Sequence, residues 1–187
     1  MGLVLAAIIG YLVGSLPVAL AVGRAHGVDL RTVGDRNPGA WNAMEQLGGG
    51  AAAPVFIGDG LKGILGGLAG LALGGVPGVY VGVAAAMVGH ALPMFAGFRG
   101  GKSVMTFAGG AFVLAPLAAL GCLVACVALS ALRDFRLGAR VGVFGFPLAQ
   151  ILVDPVEEVA ATGALMSLIG LRYLTDRLKK AKKGSPI

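Results

Sequence analysis

Charged residues are scarce in this sequence. Of its 187 residues, 13% are Asp, Glu, Lys or Arg, whereas 57% are hydrophobic and the mean hydropathy is +0.87. A soluble domain usually carries about 25% charged residues, so this composition excludes an ordinary soluble domain and indicates an integral membrane protein. In that setting the net charge of +6 is typical of basic cytoplasmic loops and does not indicate a nucleic-acid partner.

Cysteine and histidine are rarer still, with two residues of each. Cys122 and Cys126 lie one helical turn apart in an apolar run, with no His or acidic residue nearby in sequence. We therefore expect packing residues here, and neither a disulfide nor a metal site. No cofactor is expected anywhere in the chain.

A nucleotide-binding loop is also absent. The stretch FRGGKS, residues 98–103, ends like a Walker A loop, but that motif needs a further Gly where this chain has Ala96. Gly97 is one position out of register, and no strand-like run comes before it. The sequence therefore argues against a P-loop NTPase.

Long apolar runs fill most of the chain. A spanning helix needs about 20 apolar residues, and no basic segment precedes the first run, so we expect a retained helix there and not a cleaved signal. We predict spans over 3–22, 51–74 and 79–98, a helical hairpin over 104–132, and segments over 141–153 and 156–174. We expect Pro17 to kink the first span, residues 76–78 to form a turn, and Ala115-Pro116 to bend the hairpin. The fold class is an all-α integral membrane protein with about seven transmembrane or half-spanning helices.

Basic residues assign the sides of the membrane. They cluster in loops at about 24–50, 98–103 and 133–140 and in the tail at 175–187, which the positive-inside tendency places in the cytoplasm. We therefore expect one polytopic membrane domain over 1–187, with its N-terminus outside and its C-terminus cytoplasmic. Nearly all polar residues then meet at the cytoplasmic interface.

Two polar clusters precede the third span. RTVGDRNPGAWN, residues 31–42, is a turn-rich loop that offers two arginines and two asparagines, although a solvated connector has the same composition. Asp59 and Lys62 share one helix face. Ionisable groups at membrane depth usually pair or face a polar cavity, so a mutual salt bridge is the alternative to a ligand site.

The third cluster is GHALPMFAGFRGGKS, residues 89–103. His90 is a candidate general base or hydrogen-bond donor, or else a bridge between helices. Gly100 and Gly101 free the backbone to point N–H groups at a ligand, Lys102 adds a cation, and a helix begins at about Ser103. Together these features predict an anion site, and the natural anion at a lipid–water boundary is the phosphate of a lipid precursor.

Four motifs occur in order: GSLP at 14–17, VDLRTVGDRNPGAWN at 28–42, DGLKG at 59–63 and GHALPMFAGFRGGKSVMT at 89–106. With these motifs the chain resembles the bacterial PlsY-type acyl-phosphate:glycerol-3-phosphate acyltransferases. The resemblance implies a seven-helix membrane enzyme that transfers a fatty acyl group from membrane acyl phosphate to the 1-hydroxyl of cytosolic sn-glycerol 3-phosphate. The product is lysophosphatidic acid, and neither CoA nor a metal is used.

The family positions and the cations together define the expected site. We expect His90, Lys102 and Asn37 to be catalytic. The expected substrate-binding residues are Arg31, Arg36, Gly39, Asn42, Asp59, Lys62, Gly100, Gly101, Ser103 and Arg136.

The chain departs from the family pattern at several of the positions expected to bind anions. The departures are Asp35-Arg36 for Ser-Gly, Trp41 for Thr, Glu45 for Arg, Arg136 and Ala139 for two serines, and Tyr173 and Asp176 for His and Asn. The alternative is therefore a diverged paralogue of the same fold that is non-catalytic or acts on another acceptor. A small membrane transporter is a third hypothesis.

Overall fold

The computed structural model describes residues 1–182, and this part of the chain is helical with no β-strand. It contains nine α-helices and one short 3-10 turn, Met94–Ala96. The helices are α1 Gly2–Gly14, α2 Val18–Ala25, α3 Ala40–Leu47, α4 Gly49–Ala91, α5 Val104–Leu114, α6 Pro116–Leu132, α7 Phe135–Phe144, α8 Phe146–Gln150 and α9 Val156–Lys182.

Two segments are long and apolar enough to cross a membrane, Gly2–Ala25 and Gly49–Ala96, and shorter apolar helices follow at Val104–Leu114 and Pro116–Leu132. Large apolar side chains such as Leu68, Leu120 and Val124 are exposed on the bundle surface. Exposed apolar faces of this kind suit contact with lipid tails.

The predicted proline kink in the first span is confirmed. α1 ends at Gly14, the chain bends through Ser15, and α2 begins after Pro17. Proline has no N–H to donate to the preceding turn, so it stands at the start of the new helix.

The second and third predicted spans form one hairpin whose turn differs from the prediction. The backbone leaves helical geometry at Gly74 and Gly75, where Gly75 has φ +61°, and not at residues 76–78. Glycine alone adopts this conformation without strain. Pro77 instead lies in the first turn of the returning helix, a position that proline tolerates.

Glycines let the central helices approach closely. A Cβ at Gly63 would strike the backbone of Thr106 on α5, and one at Gly14 would strike Ala86 on the second half of α4. Small residues at such contacts are the usual means of packing helices in lipid. The larger buried apolar core lies among α4, α5, α6, α8 and α9, and in it Phe107 meets Phe146 edge-on with 5.7 Å between ring centroids.

Several boundaries differ from the prediction. The third span ends at Ala91, seven residues before its predicted end, and the segment predicted over 141–153 is divided at Gly145 between α7 and α8. The loop at 24–50 contains helix α3. Residues 135–140 are helical because the Asp134 side chain caps α7, accepting the Leu137 N–H at 2.9 Å. The last helix continues beyond residue 174 to Lys182 because the tail contains no helix-breaking residue before that point, and the remainder of the predicted tail, 183–187, lies outside the described residues.

Candidate active site

One large cavity opens where the loop before α3, the loop before α5 and the end of α9 meet. Its volume is about 790 Å³. Polar side chains line one end of it, and an apolar branch continues between α4, α5, α6 and α7. The polar lining residues are Asp35, Asn37, Glu45, Asp59, His90, Lys102, Ser103, Arg136, Arg140 and Tyr173. All three residues expected to be catalytic therefore line the same space.

Lys102 lies at the centre of the polar end. Its Nζ is 3.2 Å from Asp35 Oδ2 and 3.5 Å from Asp176 Oδ2, and it lies 4.6 Å from the centroid of the Tyr173 ring. The side chain is only 13% exposed. The cation thus lies in the cavity and points neither into lipid nor into bulk solvent.

A buried charged cluster forms the cavity wall beside His90. Lys62 Nζ donates to Asp59 Oδ1 at 2.7 Å, and His90 Nδ1 lies 3.5 Å from both of these atoms. The Asp59 and Lys62 side chains are 1% and 5% exposed. Lys62 does not line the large cavity, and its ammonium is paired with Asp59. The salt bridge considered as the alternative is thus present, and any part of this pair in substrate binding stays a prediction.

The two glycines before Lys102 do not form the open cradle of N–H groups that we expected. The Gly101 N–H donates to the carbonyl of His90 at 3.1 Å, and a Cβ on Gly101 would strike His90 Nε2. Arg172 of α9 donates to the carbonyls of Gly100 and Gly101, each at 3.2 Å. Glycine is required here because the loop lies directly against the histidine.

Ser103 starts α5 from a left-handed conformation, φ 63°. Its hydroxyl donates to the Met87 carbonyl at 2.6 Å. The residue as a whole is 2% exposed. Ser103 lines the cavity, but its side chain connects α5 to α4 in this structure.

The cavity mouth is aromatic and charged. Trp41 stacks on Phe135 with ring centroids 5.8 Å apart, and the Arg136 guanidinium lies 5.4 Å from the Trp41 ring. Arg136 Nη2 is also 3.3 Å from Glu45 Oε1. The carboxylate at position 45 is thus paired with the arginine that we expected to bind substrate.

The first loop divides its predicted residues between cavity and scaffold. Asn37 and Gly39 line the cavity. Asn42 is fully buried, and its amide donates to the carbonyls of Leu30 and Val33 at 2.9 and 3.2 Å. Asn42 therefore holds the loop together, and any part of it in substrate binding stays a prediction.

Neither arginine of this loop lines the cavity. Arg31 donates twice to Asp29, and these hydrogen bonds, with one from the Arg31 backbone N–H, hold the pKa of the Asp29 carboxyl at about 2. The same pairing raises the pKa of Arg31. Arg36 occupies a left-handed turn position, φ 62°. Local turn geometry positions these side chains away from the cavity lining, and direct substrate contact by either arginine stays a prediction.

The expected site residues include none from α9, although Tyr173 and Asp176 depart from the family pattern at positions expected to bind anions. Arg172, Tyr173 and Asp176 all reach the loop before α5. Their i, i+1 and i+4 spacing puts them on adjoining parts of one helix surface, and this polar patch near the end of an apolar helix was the available signal.

Apolar side chains line the branch of the cavity. Phe56, Phe112, Phe144 and the two cysteines line the branch, and both cysteines are free thiols. Within residues 1–182, His, Cys, Asp and Glu side chains form no group of three or more that can hold a metal ion.

Comparisons with known proteins agree with this geometry. The glycerol-3-phosphate acyltransferase family matches residues 4–182. A glycerol-3-phosphate acyltransferase of Rubrobacter xylanophilus is 50% identical over 63% of this chain and 60% of that protein, and one of Roseiflexus sp. strain RS-1 is 38% identical over 88% and 85%.

The fold comparison gives the same result. The crystal structure of PlsY, an integral membrane glycerol 3-phosphate acyltransferase, in its glycerol 3-phosphate form is 27% identical and superposes with a TM-score of 0.82 over 100% of this chain and 95% of that one. Its lysophosphatidic acid form gives a TM-score of 0.79 with the same coverage. Sequence and fold thus agree over nearly the whole length, and the chain belongs to the PlsY family of glycerol-3-phosphate acyltransferases.

Proposed function

We propose that this protein transfers a fatty acyl group from an acyl phosphate to the 1-hydroxyl of sn-glycerol 3-phosphate, forming lysophosphatidic acid. The observation that carries the proposal is the single cavity with Lys102, His90 and Asn37 at one end and an apolar branch beyond them. Such a shape suits a small anion beside a lipid with an activated carboxyl group. The related crystal structures in glycerol 3-phosphate and lysophosphatidic acid forms support the same reading.

Lys102 neutralises phosphate in this mechanism, and Asn37 supplies amide hydrogen bonds beside it. The acceptor hydroxyl oxygen attacks the acyl carbonyl carbon, the bond from that carbon to the phosphate oxygen breaks, and inorganic phosphate leaves. Because an acyl phosphate is already activated, positioning and charge neutralisation supply most of the catalysis.

His90 is the proposed proton acceptor. Nδ1 lies 3.5 Å from Asp59 Oδ1. In the tautomer that carries its proton on Nδ1, Nε2 accepts the proton of the attacking hydroxyl and returns it to the leaving phosphate. Asp59 and Lys62 then act through His90 as positioning residues. A rate that stays flat from pH 5 to 8 contradicts this role for His90.

The membrane setting follows from the same proposal. We place the protein in the bacterial inner membrane as one polytopic domain, with its N-terminus outside and its cavity opening to the cytoplasm, where glycerol 3-phosphate is found. A reporter fused after residue 187 tests this topology. An enzyme that is active only on the outer side of the membrane stays inactive if the C-terminus is cytoplasmic.

The test of function is a product assay on purified protein in detergent or lipid. Palmitoyl phosphate and glycerol 3-phosphate are supplied, and lysophosphatidate and released phosphate are measured. We expect equal amounts of both products, and no product when palmitoyl-CoA replaces palmitoyl phosphate. Product from the CoA ester contradicts the proposed donor.

A second candidate function is acyl transfer to another acceptor. It is favoured by the carboxylates of Asp35 and Asp176 on Lys102, which oppose a dianionic ligand. Supplying glycerol, glycerol 3-phosphate and amino alcohols in parallel with palmitoyl phosphate separates the two candidates, because only the preferred acceptor gives an acylated product at low concentration. Uptake assays in proteoliposomes test the transporter hypothesis, which the family assignment does not favour.

A further inference from the structure

The cation expected to hold phosphate is already held by two internal anions. Asp35 comes from the loop before α3 and Asp176 from α9, and both carboxylates lie within 3.5 Å of Lys102 Nζ. The carboxylates are 32% and 35% exposed, whereas the lysine is 13% exposed. The lysine thus faces inward with its charge balanced from the solvent side.

The rest of the polar end adds no surplus of positive charge. Asp35, Glu45 and Asp59 line the cavity beside three cations, Lys102, Arg136 and Arg140. Arg136 is paired with Glu45, and Asp59 with Lys62. With Asp59 neutralised by Lys62, a phosphate dianion entering this space meets three carboxylates and three cations: Asp35, Glu45 and Asp176 against Lys102, Arg136 and Arg140.

An incoming phosphate must displace these carboxylates to contact Lys102. It then lies close to both of them, and like charges side by side in a partly desolvated site weaken binding. A neutral or cationic group does not meet this opposition.

We propose that Asp35 and Asp176 compete with substrate phosphate for Lys102 and thereby set the affinity of the site for its dianionic substrate. The inference rests on the proposed function, because the phosphate that competes with Asp35 and Asp176 is the phosphate of that reaction's substrate. The two residues are affinity determinants, and removing their charges improves binding.

The test is the double variant Asp35→Asn/Asp176→Asn. Asparagine keeps the side-chain oxygen of residue 35 that accepts the Asn37 N–H at 2.8 Å, so the turn is preserved. The matched control is Glu157→Gln/Glu158→Gln in the first turn of α9, which changes net charge by the same amount. Neither control residue lines the cavity.

We expect the KM for glycerol 3-phosphate to fall about tenfold in the double variant, a factor equal to about 1.4 kcal/mol, and to stay unchanged in the control. Inorganic phosphate, measured by calorimetry on the detergent-solubilised protein, binds correspondingly tighter. Either single variant gives a smaller shift in the same direction if the double variant cannot be purified.

Each outcome separates this inference from the proposed function. An unchanged or raised KM together with unchanged phosphate affinity overturns the inference, even if the wild type makes lysophosphatidate. If the double variant binds phosphate more tightly but no lysophosphatidate is formed, the result supports the inference and contradicts the proposed acceptor. If only the KM for palmitoyl phosphate falls, Lys102 binds the phosphate of the acyl donor. That result overturns the inference that it binds the phosphate of glycerol 3-phosphate.

Discussion

At the residue scale, burial decides which charged groups can contact substrate. Asp59 and Lys62 are almost inaccessible and bonded to one another, whereas Lys102 and Asn37 line open space. A buried ion pair contributes little net stability, but removing one partner leaves an uncompensated charge. The stability of the protein should therefore fall more when one member of the pair is replaced than when both are replaced together.

The first prediction uses this asymmetry. Asp59→Asn leaves Lys62 buried without its partner, and we expect a loss of about 3–5 kcal/mol of stability. Asp59→Asn combined with Lys62→Met removes both charges, so it should be less destabilised than the single variant. Thermal unfolding in detergent measures both, and a double variant that unfolds below the single one contradicts the account.

A second prediction concerns Asp29 and acid. Its folded pKa of about 2 lies below the ordinary value of 3.8, so the ionised form stabilises the folded loop above about pH 4. That contribution is lost as pH falls from 4 to 2. Because the pair with Arg31 is partly exposed, the effect is at most about 1 kcal/mol.

The measurement for Asp29 is the melting temperature of the wild type minus that of Asp29→Asn. We expect a positive difference at pH 6 that shrinks steadily below pH 4. A difference independent of pH in this range contradicts the proposed stabilisation by the ionised carboxylate.

At the scale of helices, most segments are predictable and several boundaries are not. Apolar runs bounded by Pro17 and by Ala115-Pro116 correctly locate the end of the first helix and the break between α5 and α6, because length and missing N–H groups act locally. The turn at Gly74–Gly75 was expected two residues later, since Pro77 looks like a turn residue but also fits a helix start.

The site was only partly predictable for a related reason. Lys102, His90 and Asn37 share a motif-rich part of the sequence, and the structure brings them to one cavity. Asn42 and Arg31 are also polar and lie near Asn37 in the sequence, yet they make hydrogen bonds within their own loop and do not line the cavity. Asp176 and Tyr173 become site residues only because α9 packs beside a loop about 70 positions earlier.

Helix packing yields a third prediction. Gly63→Ala pushes a methyl group into the backbone of α5, so we expect a loss above about 2 kcal/mol from overpacking. Gly121→Ala is the control, since it is helical with open space around its Cβ position. It should be neutral or stabilising by about 0.5–1 kcal/mol, and equal losses at both positions contradict the packing account.

At the scale of the whole molecule, the cavity combines two environments. The loops supply charges at one end, and α4 to α7 supply an apolar branch that continues from it. This arrangement lets a lipid keep its acyl chain away from water while its head group meets a soluble partner.

A fourth prediction tests the apolar branch. Ala119→Phe fills part of it, so use of palmitoyl phosphate should fall about tenfold or more, whereas octanoyl phosphate is less affected because each buried CH₂ contributes about 0.8 kcal/mol. Val124→Phe on the same helix is the control, since Val124 is 61% exposed and does not line the cavity. Equal loss with both acyl lengths contradicts an acyl site here.

The most direct test of the central claim compares Lys102→Ala with Arg99→Ala in the palmitoyl phosphate and glycerol 3-phosphate assay. Both variants remove one cation from the same loop, but only Lys102 lines the large cavity. The account predicts that kcat/KM falls about 30-fold or more in Lys102→Ala, as expected for a lost charged hydrogen bond of about 2–3 kcal/mol, and stays near the wild-type value in Arg99→Ala. Lysophosphatidate formation at the wild-type rate by Lys102→Ala would contradict it.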